Sequence, residues 1–78
     1  MWRVNVPNGI KVAVTRFPRH DADRIFAALR ELSVDPLSGD VFSIGRSGYY
    51  KVVAEYLVFF DIVGAERAVN VTAIERSQ

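Results

Sequence analysis

Polar and apolar residues alternate at the start of the chain. Trp2, Val4 and Val6 recur with a period of two, which predicts a half-buried strand. The strand ends at Pro7, because proline has no N–H group to donate to a sheet.

Residues 8–17 fit two different patterns. Asn8-Gly9 is a favoured hairpin turn, and alternating β-branched residues after it favour a strand. The same segment fits a helix with Asn8 as its N-cap, because apolar residues recur at helical spacing. These helical positions are Ile10, Ala13, Val14 and Phe17. We assign a short helix here, on the family resemblance described below.

A clearer amphipathic helix is predicted over residues 21–32. Asp21 is its expected N-cap, and Pro18 lies just before it. Asp35-Pro36 and Gly39 end the helical segment, because a residue before proline avoids helical geometry and glycine permits a turn. The apolar face consists of Ala22, Ile25, Phe26, Leu29 and Leu32.

Beyond Gly39 the pattern changes to that of strands. Val41–Ile44 and Tyr49–Ala54 predict two strands around a loop, and Tyr56–Val63 is apolar on both faces, as in a central strand covered on both sides. Gly64 is expected to take a positive φ in a hairpin turn before a last strand, Ala68–Glu75. The predicted fold is α+β: an N-terminal strand, a helical hairpin, then a three- to four-stranded antiparallel sheet with the helices on one face.

Composition limits the kind of protein this is. The chain has 78 residues, of which 50% are hydrophobic and 24% charged, so we expect one folded domain over residues 1–78. It has no cysteine and only one histidine, His20, so no metal site and no cofactor are predicted. No leader peptide or membrane span is apparent, and we expect a cytoplasmic protein.

The charge is unevenly distributed. Residues 1–30 contain six basic and two acidic residues, a net charge of +4, whereas residues 31–78 contain four basic and seven acidic ones, a net charge of −3. A basic first third suggests an acidic or polyanionic partner, and a solvated helix face is the alternative interpretation.

The order of elements and several motifs resemble the RelE/ParE superfamily of toxins from type II toxin–antitoxin modules. The similarity spans nearly the whole chain. The matching pieces are Trp2-Arg3-Val4, Leu29-Arg30-Glu31-Leu32 with Asp35-Pro36, Gly39-Asp40-Val41, Ile44-Gly45, Tyr50–Tyr56 and Val71–Arg76.

The resemblance implies one of two activities. In one branch the toxin cleaves mRNA in the ribosomal A site without a metal, using cationic side chains to stabilise the phosphorane and aromatic rings to stack bases. Carried over to this sequence, the catalytic residues would be Lys51, Arg46 and Arg76, and Tyr49, Tyr50 and Arg46 would bind RNA. In the other branch the toxin inhibits DNA gyrase.

The sequence departs from the RNA-cleaving pattern at several places. Val53 occupies a position that is often basic, Leu57 follows Tyr56 where an arginine is usual, and no tyrosine follows Arg76. Tyr56-Leu57-Val58-Phe59-Phe60 is similar to a strand of gyrase-directed members. A protein that only binds its antitoxin is a third possibility.

The remaining expectations concern partners and individual side chains. The family implies a small, often acidic antitoxin that would occupy the groove between helices and sheet. Tyr49 and Tyr50 should point to opposite faces of their strand, so that one remains available to a base. Without the family, Lys51 would be read as a solvent-facing residue paired with Glu55 or Glu75.

Overall fold

Five strands form one mixed sheet in the computed structural model, which describes residues 1–77. The strand order is β1-β5-β4-β3-β2, with β1 parallel to β5 and the other neighbours antiparallel. The elements in chain order are β1 (Arg3–Asn5), α1 (Asn8–Thr15), α2 (Arg19–Val34), β2 (Val41–Ile44), β3 (Gly48–Val53), β4 (Tyr56–Val63) and β5 (Ala68–Arg76). The predicted α+β order is confirmed, and none of the helices in residues 1–77 is long and apolar enough to cross a membrane.

The ambiguous segment after β1 is a helix. Val14 of α1 is completely buried, and Phe17, just beyond the helix, stacks on Tyr56 with ring centroids 4.7 Å apart. These contacts override the local β-strand preference of the sequence. The expected N-cap is wrong, because Pro7 occupies that position and Asn8 is already the first helical residue.

The second helix begins earlier than the sequence predicts. Its N-cap is Pro18, and its first residue is Arg19, so Asp21 is inside the first turn and is not the cap. The N–H of Ala22 donates to the carbonyl of Pro18, which starts the helical ladder. Four residues of the predicted apolar face are buried: Ala22, Ile25, Leu29 and Leu32. Phe26 is only half-buried, and Ala28, which was not predicted, is buried.

The two faces of the sheet have different surroundings. Both helices pack on one face, where Tyr56, Val58 and Phe60 of β4 are almost fully buried. Leu57 and Phe59 point the other way and are only half-buried, so the prediction that β4 is covered on both sides is wrong. We call this second side the open face. It consists of the outward residues of β2 to β5: Phe42, Ile44, Tyr50, Val52, Leu57, Phe59, Asp61, Ala73 and Glu75.

The turn between β4 and β5 is not built as predicted. Residues Gly64–Glu66 form a short 3₁₀ turn, and the left-handed residue is Arg67, with φ of 49°, whereas Gly64 has no positive φ. The Arg67 guanidinium lies 5.4 Å from the centre of the Trp2 ring, a cation–π contact with the first strand. This contact and the backbone bond from Arg3 N–H to the Arg67 carbonyl fix the turn against β1.

Candidate functional site

Lys51 is buried under the second helix. It lies on the helix-facing side of β3, its side chain is only 7% exposed, and its Nζ is 3.1 Å from Oε1 of Glu31. Gly39 lies beside the lysine stem with a positive φ of 80°, and a Cβ there would be in ordinary van der Waals contact with Cε of Lys51, at 3.6 Å. The alternative interpretation of Lys51 as a solvent-facing residue paired with Glu55 or Glu75 is therefore wrong.

The other two predicted catalytic cations lie at opposite ends of the sheet. Arg46 is exposed in the turn between β2 and β3. Arg76 pairs with Glu55, with Nη2 3.0 Å from Oε2, and its guanidinium lies 5.9 Å from the centre of the Tyr56 ring. Arg76 pairs with Tyr56 at the start of β4. Gly48, two residues after Arg46, pairs with Asp61, which is five residues further along β4, roughly 16 Å away. The structure does not bring Lys51, Arg46 and Arg76 into one cluster.

The two adjacent tyrosines point to opposite faces, as predicted. Tyr49 faces the helices and stacks on Phe60, with centroids 5.8 Å apart. Tyr50 is on the open face, 5.2 Å from the Phe42 ring and 5.8 Å from the Phe59 ring. Only Tyr50 is placed where it could stack on a base from solution.

Tyr56 forms a polar contact that sequence reasoning missed. Its hydroxyl donates to Oδ2 of Asp21 across a distance of 2.9 Å, which ties the start of α2 to the start of β4. Burial raises the pKa of the Tyr56 hydroxyl above its ordinary value of 10.0, and the hydrogen bond to the Asp21 carboxylate raises it further. No sequence pattern points directly to this pair, because an aspartate at that position fits a helix cap equally well.

A groove lies between β1, α1 and α2. Its volume is about 350 Å³, and apolar side chains form its floor while two cations, Lys11 and Arg30, stand at its rim. Both cations belong to the basic first third of the chain. The apolar residues of the groove are Val4, Val6, Phe26 and Leu29.

Metal chemistry has no candidate site in residues 1–77, where no group of three His, Asp or Glu side chains lies close enough to hold an ion. His20 is exposed in the first turn of α2. The candidate functional features of residues 1–77 are therefore the groove, the open face and the ion pairs described above.

Sequence comparison identifies no relative. No protein-family model matches the chain, and no curated protein matches it. Comparison with solved structures identifies the fold. The chain is similar to RelE in the archaeal RelE–RelB complex from Pyrococcus horikoshii, with a TM-score of 0.85 and 16% identity over 97% of this chain and 94% of that one.

The chain has the RelE fold. It is also similar to a chain of the toxin–antitoxin complex RelBE2 from Mycobacterium tuberculosis, with a TM-score of 0.80 and 13% identity over 96% of each chain. The isolated E. coli RelE toxin gives a TM-score of 0.81 and 10% identity over 100% of this chain and 86% of that one. The RelE fold is thus retained here although few residues are shared, and the fold that the resemblance implies is confirmed.

Proposed function

We propose that this chain is the toxin subunit of a type II toxin–antitoxin module and that it binds a cognate antitoxin in the cytoplasm. The observation that carries the proposal is the match over the whole chain to RelE from a RelE–RelB complex, with a TM-score of 0.85. A second structural relative also comes from a toxin–antitoxin complex. Antitoxin binding is the function that this geometry supports best.

The groove between β1, α1 and α2 supports the same proposal by its chemistry. An apolar floor with Lys11 and Arg30 at the rim suits a segment that carries both apolar and acidic side chains. Opposite charges at such a rim mainly speed association and fix the register of the partner. We therefore propose this groove as the seat of an acidic antitoxin segment.

Antitoxin binding is tested by mixing the purified chain with the product of the neighbouring gene. We expect one complex on a sizing column and a higher melting temperature, because a ligand that binds only the folded state stabilises it. Reversing the rim charges, Lys11→Glu with Arg30→Glu, should weaken the complex, whereas Arg46→Glu in the β2–β3 turn serves as the matched control. Absence of any complex with the wild-type chain would count against the proposal.

Ribosome-dependent cleavage of mRNA is the finer hypothesis. The exposed guanidinium of Arg46 and the outward ring of Tyr50 are available to RNA. Lys51 and Arg76 are each engaged by a glutamate, and stabilising a phosphorane would require them to leave those partners. Cleavage is thus less well supported by the geometry than antitoxin binding.

Primer extension on a defined mRNA in a reconstituted translation system, with and without ribosomes, tests cleavage directly. Cuts that need ribosomes and disappear in Arg46→Ala or in Lys51→Met would support it. Lys51→Met removes the charge but keeps most of the buried apolar stem, one atom shorter than lysine, so it separates chemistry from folding. Intact mRNA would exclude cleavage. A gyrase supercoiling assay would then test gyrase inhibition, the second activity that the family resemblance implies.

A further inference from the structure

A second groove opens beside Lys51, between α2 and β3. Its volume is about 480 Å³, and its lining includes two cations, Arg24 and Lys51, and two carboxylates, Glu31 and Asp40. With all four side chains ionised, these charges cancel. Loss of the Glu31 carboxylate would leave one positive charge in excess, so this side chain determines whether the groove attracts an anion.

The two partners of the Lys51–Glu31 ion pair differ in their freedom to move. The side chain of Lys51 is 7% exposed, whereas that of Glu31 is 64% exposed. The Lys51 ammonium has three N–H donors, and within residues 1–77 it forms one hydrogen bond, to Oε1 of Glu31. When the pair breaks, the glutamate therefore turns into water while the lysine stays in place with its donors free.

The stability of α2 does not explain the position of Glu31. This residue lies in the last turn of the helix, which ends at Val34, and a negative charge there is unfavourable because the C-terminal end of the helix dipole is negative. No basic residue in that turn offsets it. An ion pair with one well-exposed partner also adds little to stability. Glu31→Gln should therefore leave the fold intact.

We propose that Glu31 is autoinhibitory: its carboxylate holds the Lys51 ammonium, and a phosphate group of single-stranded RNA must displace it to bind in the α2–β3 groove. This inference rests on the RNA-cleavage hypothesis of the proposed function. In the open arrangement Lys51 donates to phosphate oxygens in place of Oε1 of Glu31, and Arg24 adds a second cation at the groove. Two carboxylates oppose the phosphate before Glu31 moves, and only Asp40 opposes it afterwards.

The proposal is tested by titrating the labelled protein with adenosine 3′-monophosphate while amide chemical shifts of the groove are followed. We expect Glu31→Gln to bind this probe roughly threefold to fivefold more tightly than the wild type, the range for one exposed ion pair. In a Lys51→Met background the same change should alter affinity by less than about twofold, because the cation that Glu31 holds is then absent.

Glu66→Gln is the matched control. Glu66 is also well exposed and also pairs with a cation, with Oε1 3.7 Å from Nη2 of Arg3, but it does not line this groove. The control changes the net charge of the protein by the same amount, so it should leave the affinity for the probe unchanged. Melting temperatures of all variants verify that each is folded.

Four results would overturn the proposal. They are equal affinity of the wild type and Glu31→Gln, an equal gain in Glu66→Gln, a gain that persists in full without Lys51, and chemical shift changes confined to residues outside the groove. A purely structural ion pair gives the first result. A chain that forms its antitoxin complex but gives any of the four keeps the proposed function and loses only this inference.

Discussion

At the scale of single residues, the buried Lys51 contributes to stability mainly through the packing of its side chain. Its partner Glu31 is 64% exposed and can return to water when the pair is broken, so packing of the lysine stem contributes more than the charge. We expect Lys51→Ala to lower the free energy of unfolding by about 1–3 kcal/mol and Lys51→Met by less than about 1 kcal/mol. Urea denaturation measures both, and equal losses would show that the charge itself is needed.

Tyr56 gives a prediction about pH. Because its pKa is raised in the folded state, the unfolded chain releases this proton first, near the ordinary value of 10.0. Between the two pKa values the unfolded state binds fewer protons, so stability falls as the pH rises. The stabilisation is fully present below about pH 9 and is lost above about pH 10.

Comparison with Tyr56→Phe isolates this contribution. The variant lacks the bond to Asp21 and should melt at a lower temperature than the wild type at neutral pH. The difference between the two melting temperatures should shrink as the pH is raised from about 8 to about 11. A difference that stayed constant over this range would contradict the raised pKa.

At the scale of elements, the β2–β3 hairpin depends on one close approach. A Cβ at Gly48 would lie 2.6 Å from the carbonyl oxygen of Ile44, so any side chain there forces the two strands apart. We expect Gly48→Ala to destabilise the protein by about 1–3 kcal/mol. Gly9 in α1 is the matched control, because a Cβ there has no atom within 4 Å.

The control should change stability in the opposite direction. Gly9→Ala restricts the unfolded chain without a clash in the helix, and we expect a gain of about 0.5 kcal/mol. Thermal or urea unfolding of the two variants side by side measures the contrast. Similar losses of stability in both variants would show that the close approach of Gly48 to the Ile44 carbonyl is not the reason for the loss.

At the scale of the whole molecule, the separation of charge sets how partners arrive. The basic first third carries the rim of the groove between β1, α1 and α2, and the acidic remainder carries the open face. If an acidic antitoxin binds at the groove, the association rate should fall about tenfold as salt is raised from about 50 mM to about 500 mM. Stopped-flow mixing measures it, and a rate independent of salt would exclude electrostatic steering.

The sequence by itself determined the order of the elements other than α1, and most of the core. A period of two marks one face of β1 and a period of three to four residues marks one face of α2, and both faces pack on the core. Periodicity was sufficient for β1 and α2 because each has one apolar face, and the position of that face is set by the local sequence.

Only the tertiary structure decided what depends on contacts between distant residues. Asn8–Thr15 is helical because Val14 reaches the core and Phe17, just beyond the helix, stacks on Tyr56. Lys51 is drawn into a pair with Glu31, twenty residues away, and Asp21 serves Tyr56 and not the helix end. Which side of the sheet is left open is likewise fixed by where the helices pack, because a strand that is apolar on both faces carries no information about which face will be covered.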